Sequence, residues 1–119
     1  MDLESYREYC LQKKGVTEEM PFGPDALVFK VMGKMFALIS LSALDLRVSL
    51  KNTPEKNIEL RGDYPGIQGA FHMNKKHWSM FLMEENIPSK VLLDGTDDSY
   101  HLVVKGLTKA LKVELETIE

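Results

Sequence analysis

One cysteine, Cys10, is all the chain contains. A lone thiol excludes an intramolecular disulfide and any metal site built on paired cysteines. It also suits a reducing, cytoplasmic setting. Long apolar runs are missing too, and none approaches the roughly 18 residues of a membrane helix. The opening residues, Met1-Asp-Leu-Glu-Ser-Tyr, are acidic and lack the apolar stretch of a signal peptide, so neither secretion nor a membrane partner is expected. No glycine-rich phosphate loop, no His-Glu-x-x-His pair and no nucleophile elbow occurs. These absences favour a protein that is not an enzyme and holds neither cofactor nor metal. Cys10 has no partner histidine near it in sequence to make it a nucleophile.

An excess of positive charge is also lacking. The chain has 15 Lys/Arg against 18 Asp/Glu, a net charge of −3, whereas a bulk nucleic-acid binder is usually basic. The distribution is uneven, however. Residues 30–77 hold eight Lys/Arg and four Asp/Glu, and both flanking segments are acidic. A length of 119 residues suits one domain, 1–119, large enough to bury about two thirds of its unfolded surface. Its 44% hydrophobic and 28% charged content is that of an ordinary soluble globule.

What is present reads as α+β. Asp2 is a natural N-cap for a helix from Leu3 to about Lys14, with Leu3, Tyr6 and Cys10 on one face and Gly15 beyond its end. Val16 to Pro24 reads as loop. Ala26–Val31 and Lys34–Leu41 read as a hairpin about Met32-Gly33. Leu46, Val48 and Leu50 alternate with Arg47, Ser49 and Lys51, which predicts a strand with one buried and one wet face. Thr53-Pro54 opens a short helix expected to stop before Gly62, and Tyr64 to Gly69 reads as loop. Trp78–Met83 reads as a strand. Pro88 begins a helical region to about residue 105, where Gly95 and Ser99 lie in the apolar stripe of Val91, Leu92, Leu102 and Val103. Leu107, Leu111 and Leu115 mark a last helix. The expected architecture is one antiparallel sheet with the N- and C-terminal helices on a single face, burying Leu3, Tyr6, Leu92, Leu102 and Val103.

The densest polar cluster is Phe71-His-Met-Asn-Lys-Lys-His-Trp78, two histidines, an amide, two lysines and the only tryptophan within eight residues. One reading is an anion-binding surface, with lysines for phosphate charge and Asn74 able to pair with a base edge. The other is a polar turn that pins the next strand, with Asn74 and His77 bonding nearby backbone. His72 and His77 are five apart with no third ligand in the segment, so metal binding is not expected. Trp78 reads as a packing residue more than as a stacking platform. Lys30, Lys34, Arg47 and Lys51 alternate with apolar residues and could form a basic stripe or merely a solvated strand face.

Several blocks together resemble the MmcQ/YjbR family. They are Pro21-Phe22-Gly23, Leu27–Val31 with Gly33–Ala37, Ser49-Leu50-Lys51 with Pro54, Leu60-Arg61 with Tyr64-Pro65, and the core motif His72-Met-Asn74-Lys75-Lys-His77-Trp78, followed by Pro88 and Ser99-Tyr100. The resemblance spans nearly the whole chain. It implies a compact α+β domain similar to the frataxin/CyaY-like, double-wing fold, and a DNA-binding role. On that reading Lys34, Lys51, Lys75 and Lys76 contact phosphates, while His72, Asn74 and His77 position the loop or reach bases. Binding to DNA is then expected to be weak and salt-dependent, by a monomer. The alternative is a domain that takes a protein or small-molecule partner in a concave site beside Trp78 and Tyr100.

Overall fold

Alternation of apolar side chains and two positive-φ turns organise most of the molecule. The computed structural model describes residues 1–42 and 44–118. In chain order they form α1 (Leu3–Leu11), β1 (Val16–Glu19), β2 (Ala26–Val31), β3 (Lys34–Ser40), β4 (Arg47–Lys51), α2 (Pro54–Asp63), β5 (Ile67–Gly69), β6 (Trp78–Leu82), α3 (Ser89–Lys105) and α4 (Lys109–Thr117). The strands make one antiparallel sheet in the order β1-β2-β3-β4-β6-β5. The α+β class expected from the sequence is the one observed.

The β2–β3 hairpin turns on Met32 (φ 50°) and Gly33 (φ 83°). Positive φ at both turn residues matches the right-handed twist of the flanking strands. The register then slips: Phe29 faces Ala37, but Lys30 faces Met35. Phe36 is the extra residue of a bulge. Its ring meets Tyr100 of α3 edge-on at 5.5 Å. Ile39, Val48, Phe81 and Ile67 follow one another across β3, β4, β6 and β5, each at most 2% exposed. They form the face that the helices cover.

Small residues let α3 lie close to that face. A Cβ built at Gly95 would stand 3.1 Å from Phe81 Cζ and 3.3 Å from Leu50 Cδ1. One turn later the Ser99 hydroxyl donates to the Phe36 carbonyl at 2.5 Å and accepts from the Lys51 N–H at 3.0 Å. These are backbone groups left over where the β3–β4 ladder ends. α1 joins α3 through a hydrogen bond between Tyr6 Oη and Thr96 Oγ1 at 2.8 Å, both side chains fully buried.

Several expectations need correcting. Val16–Glu19 is a strand and not loop, and so is Ile67–Gly69, which makes six strands in place of four. Both are short edge strands, and β1 owes its place to pairing with β2 and to the ion pair of Glu18 with Arg7. α1 stops at Leu11, short of Lys14, and α2 runs through Gly62 to Asp63. Tyr6, Leu92 and Val103 are buried as expected, but Leu3 is 36% exposed and Leu102 only half-buried.

Candidate binding cleft

The polar segment ahead of β6 is a turn held from behind by α2. Asn74 Oδ1 accepts from the Lys76 N–H at 2.9 Å, and the Asn74 carbonyl accepts from the Trp78 N–H at 2.8 Å. The amide thus closes its own turn. Asn57, 1% exposed on α2, donates to the Lys76 carbonyl at 3.0 Å. Arg61 donates to the carbonyls of Lys75 and of Trp78 (2.8 Å) and, through Nε, to Ser79 Oγ at 3.0 Å. The His77 carbonyl accepts from the Asn52 N–H at 2.9 Å. The segment is therefore fixed by its backbone, which leaves its side chains outward. His72 (φ 62°), a left-handed position uncommon outside glycine, lays its ring against Phe71 with centroids 4.0 Å apart.

This turn forms one lip of a cleft on the sheet face that the helices leave bare. The cleft has a volume of roughly 680 Å³, and no helix residue lines it. The register arranges its floor in rows. Ala26 and Ser40 lie at one end, Leu38, Ser49 and Met80 cross the middle, and Trp78 stands at the other end. Phe22 with Asp25 forms one rim, and Phe71, His72, Met73 and Asn74 form the other. Phe22 and Phe71 are 68% and 69% exposed, so two apolar rings stand in water at the mouth.

Ser49 decides the character of the floor. The sequence placed it on a wet strand face, yet it is only 2% exposed. Leu38 and Met80 flank it as ladder partners. No described residue hydrogen-bonds its hydroxyl. Among the described residues every fully occluded side-chain polar atom has a partner, so the little exposure Ser49 keeps opens onto the cleft. A hydroxyl with no protein partner at the base of an apolar depression is a ready hydrogen-bonding group for whatever enters.

Two of the residues expected to make a basic stripe are ion-paired. Lys30 pairs with Glu19, and Arg47 pairs with both Asp45 and Glu84. Lys34, Lys51, Lys75 and Lys76 have no ion-pair partner among the described residues. Lys51 is the ladder partner of Trp78, and the Lys75 ammonium lies 5.9 Å from the Phe71 ring centroid. Tyr100, expected beside Trp78, belongs to the opposite face. It is 8% exposed and its hydroxyl donates to the Lys14 carbonyl at 2.6 Å. Trp78 itself is half-buried, a wall of the cleft more than a member of the core. Phe22, Leu38, Ser49 and Met80 were not expected as site residues from the sequence. The available signal was β6, Trp-Ser-Met-Phe-Leu, apolar at positions of both parities.

The most strongly displaced titrations lie on the helical side. Burial pushes the Cys10 thiol and the Tyr9 hydroxyl up to about 12, with the neighbouring Asp97 adding to the shift of Tyr9. Burial raises Asp97 as well, but its hydrogen bonds from Lys13 and Tyr9 outweigh this and hold it below its usual value. A second groove of roughly 510 Å³, between α2 and α3, is rich in carboxylates: Glu59, Asp63, Asp94, Asp97 and Asp98. Among the described residues no three potential ligands are placed to hold a metal ion.

The YjbR family model matches residues 11–102. The chain belongs to the YjbR family. It is 43% identical to the uncharacterized protein YbdF of Escherichia coli O157:H7 over 110 residues, covering 89% of this chain and 87% of that one. To the uncharacterized protein YjbR of Escherichia coli K12 it is 28% identical over 107 residues, 90% of this chain and 91% of that one. Among solved structures, the Deinococcus radiodurans protein DR2400, which carries the DUF419 domain, superposes with a TM-score of 0.89 at 37% identity, over 96% of this chain and 87% of that one. A Pseudomonas syringae protein superposes with a TM-score of 0.73 at 27% identity, over 86% and 98%. None of these names states a ligand, partner or reaction.

Proposed function

We propose that the chain is a non-catalytic binding module whose site is the cleft between Phe22 and Phe71, and that its ligand is a small molecule. The observation that supports this is the cleft itself: an apolar depression of roughly 680 Å³ with a few polar groups at its floor and rim. Small-molecule sites are usually of about 300–1,000 Å³ and lined in this way. The test uses reporters already in the wall. Trp78 is the only tryptophan, and Met73 and Met80 both line the cleft. A mixed set of small aromatic and aliphatic compounds should contain members that change Trp78 emission and shift the Met73 and Met80 methyl signals saturably. A set that leaves all three untouched at millimolar concentration counts against the proposal.

The second reading, DNA binding, is favoured by one observation: Lys34, Lys51, Lys75 and Lys76 have no acidic partner among the described residues. Phosphate contacts predict a log–log salt slope of about −0.9 per neutralised phosphate. Mobility-shift titrations of a duplex at low and moderate salt read that slope. The Lys75→Ala/Lys76→Ala variant should lower it by about 2 while leaving the melting temperature nearly unchanged, because both side chains are exposed. A duplex that fails to bind, or binds with no salt dependence, removes this reading.

A further inference from the structure

We infer that the ligand of the cleft is a flat aromatic acid, a ring system carrying one acidic group at one end and a polar ring substituent. This inference rests on the small-molecule reading above. Three independent features support it.

The first is the shape and chemistry of the walls. Phe22, Phe71, His72 and Trp78 bring four rings to one opening. Exposed aromatic faces gain most from stacking against another flat ring, in offset or edge-on geometry. A flexible alkyl chain gains the same apolar burial but none of that preference, and it loses more rotational freedom on binding.

The second is the asymmetry of charge along the cleft. One donor lines the Trp78 end and one cation stands next to it. The Asn74 side-chain Oδ1 is already used by the Lys76 N–H, so its NH₂ is the part left to donate. Lys51 adjoins Trp78 across the ladder and has no ion-pair partner among the described residues. At the far end, beside Ala26 and Ser40, stands the Asp25 carboxyl. One acidic group is therefore accommodated near Asn74, and a second at the other end meets repulsion. That polarity selects a monoacid and fixes its direction.

The third is Ser49. Its hydroxyl lies in the middle row between Leu38 and Met80, where the ring must lie, and no described residue bonds it. A ring hydroxyl or ring heteroatom supplies that partner.

The experiment compares 6-hydroxy-2-naphthoate with decanoate, each titrated against the full chain and followed by the Met73 and Met80 methyl signals. The aromatic acid should bind at least about tenfold more tightly. Ser49→Ala should weaken it about threefold to tenfold, the worth of one neutral hydrogen bond. Phe71→Ala should weaken it further, and since Phe71 is 69% exposed the variant keeps its fold. Decanoate binding as tightly as the naphthoate, or a naphthoate indifferent to Ser49→Ala, overturns the aromatic-acid inference and leaves the cleft as a small-molecule site. Failure of both compounds, together with the whole mixed set above, overturns the underlying reading too.

Discussion

The guanidinium of Arg61 donates to the carbonyl of Trp78 at 2.8 Å, across the gap between α2 and β6. The same group reaches the Lys75 carbonyl and Ser79 Oγ. One side chain thus ties the turn that forms a lip of the cleft, at Lys75, to the start of β6, at Trp78 and Ser79. Arg61→Ala should destabilise the fold by about 2–3 kcal/mol, as for hydrogen bonds to a charged donor whose acceptors are left partly buried. Arg61→Lys should recover little, because an ammonium cannot reproduce the planar fork. Urea unfolding measures the loss. Amide signals from His72 to Trp78 should broaden first, and a variant with unchanged stability and an unchanged turn would contradict this.

Gly95 keeps α3 against the sheet. Alanine gains about 1 kcal/mol over glycine in a helix interior, but its Cβ would press on Phe81 and Leu50 at 3.1–3.3 Å, and overpacking of a core costs about 1–3 kcal/mol. The clash should win, with Gly95→Ala net destabilising by about 1 kcal/mol and Gly95→Val by considerably more. Thermal melts of the two variants decide the sign, and a stabilised Gly95→Ala would mean that α3 can lift without cost.

Trp78 and Phe81 make a contrasting pair on one strand. Phe81 is 1% exposed and faces the helices, while Trp78 lines the open cleft. Phe81→Ala should cost about 3–5 kcal/mol, as a buried aromatic does. Trp78→Ala should cost clearly less, about 1–2 kcal/mol, because water already reaches one side of the ring. Equal losses in denaturant titration would place Trp78 in the core after all.

The Asp97 carboxylate is held below its ordinary value of 3.8 once the Lys13 and Tyr9 hydrogen bonds have overcome burial. A depressed folded pKa stabilises the native state fully above the unfolded value and loses that contribution as pH falls through the folded one. Asp97→Asn should therefore lower the melting temperature near neutral pH. It should also lessen the further loss of stability below about pH 4. Identical acid limbs for the two proteins would show that the Lys13–Asp97 pair contributes nothing to folding.

The sequence made the central fold legible where local signals were strong: alternation in β2, β3 and β4, the Met32-Gly33 turn, the Asp2 and Thr53 caps, and the small residues Gly95 and Ser99. It concealed β1 and β5, because three or four residues at a sheet edge have too little apolar pattern to outweigh nearby glycine and proline. The polar turn was visible, but its role was divided between surface and scaffold. Asn57 and Arg61, which hold the turn from behind, lie 14 to 19 residues upstream of the carbonyls they bind. The cleft was hidden for a related reason. Ser49 looks solvated along its own strand, and only the neighbouring Leu38 and Met80, together with the rims at Phe22 and Phe71, convert that position into a floor.

The strand order has a kinetic consequence. β1 to β4 form an uninterrupted meander over residues 16–51, each strand beside its predecessor, and β5 and β6 form a second local unit. Only the β4–β6 seam joins distant segments, matching Lys51 with Trp78 and enclosing α2 in the loop. Closing that loop is the main entropic barrier among the strand pairings. The meander should therefore form early and the seam late, and the cleft, whose floor straddles the seam at Ser49 and Met80, should be complete only in the final step of folding.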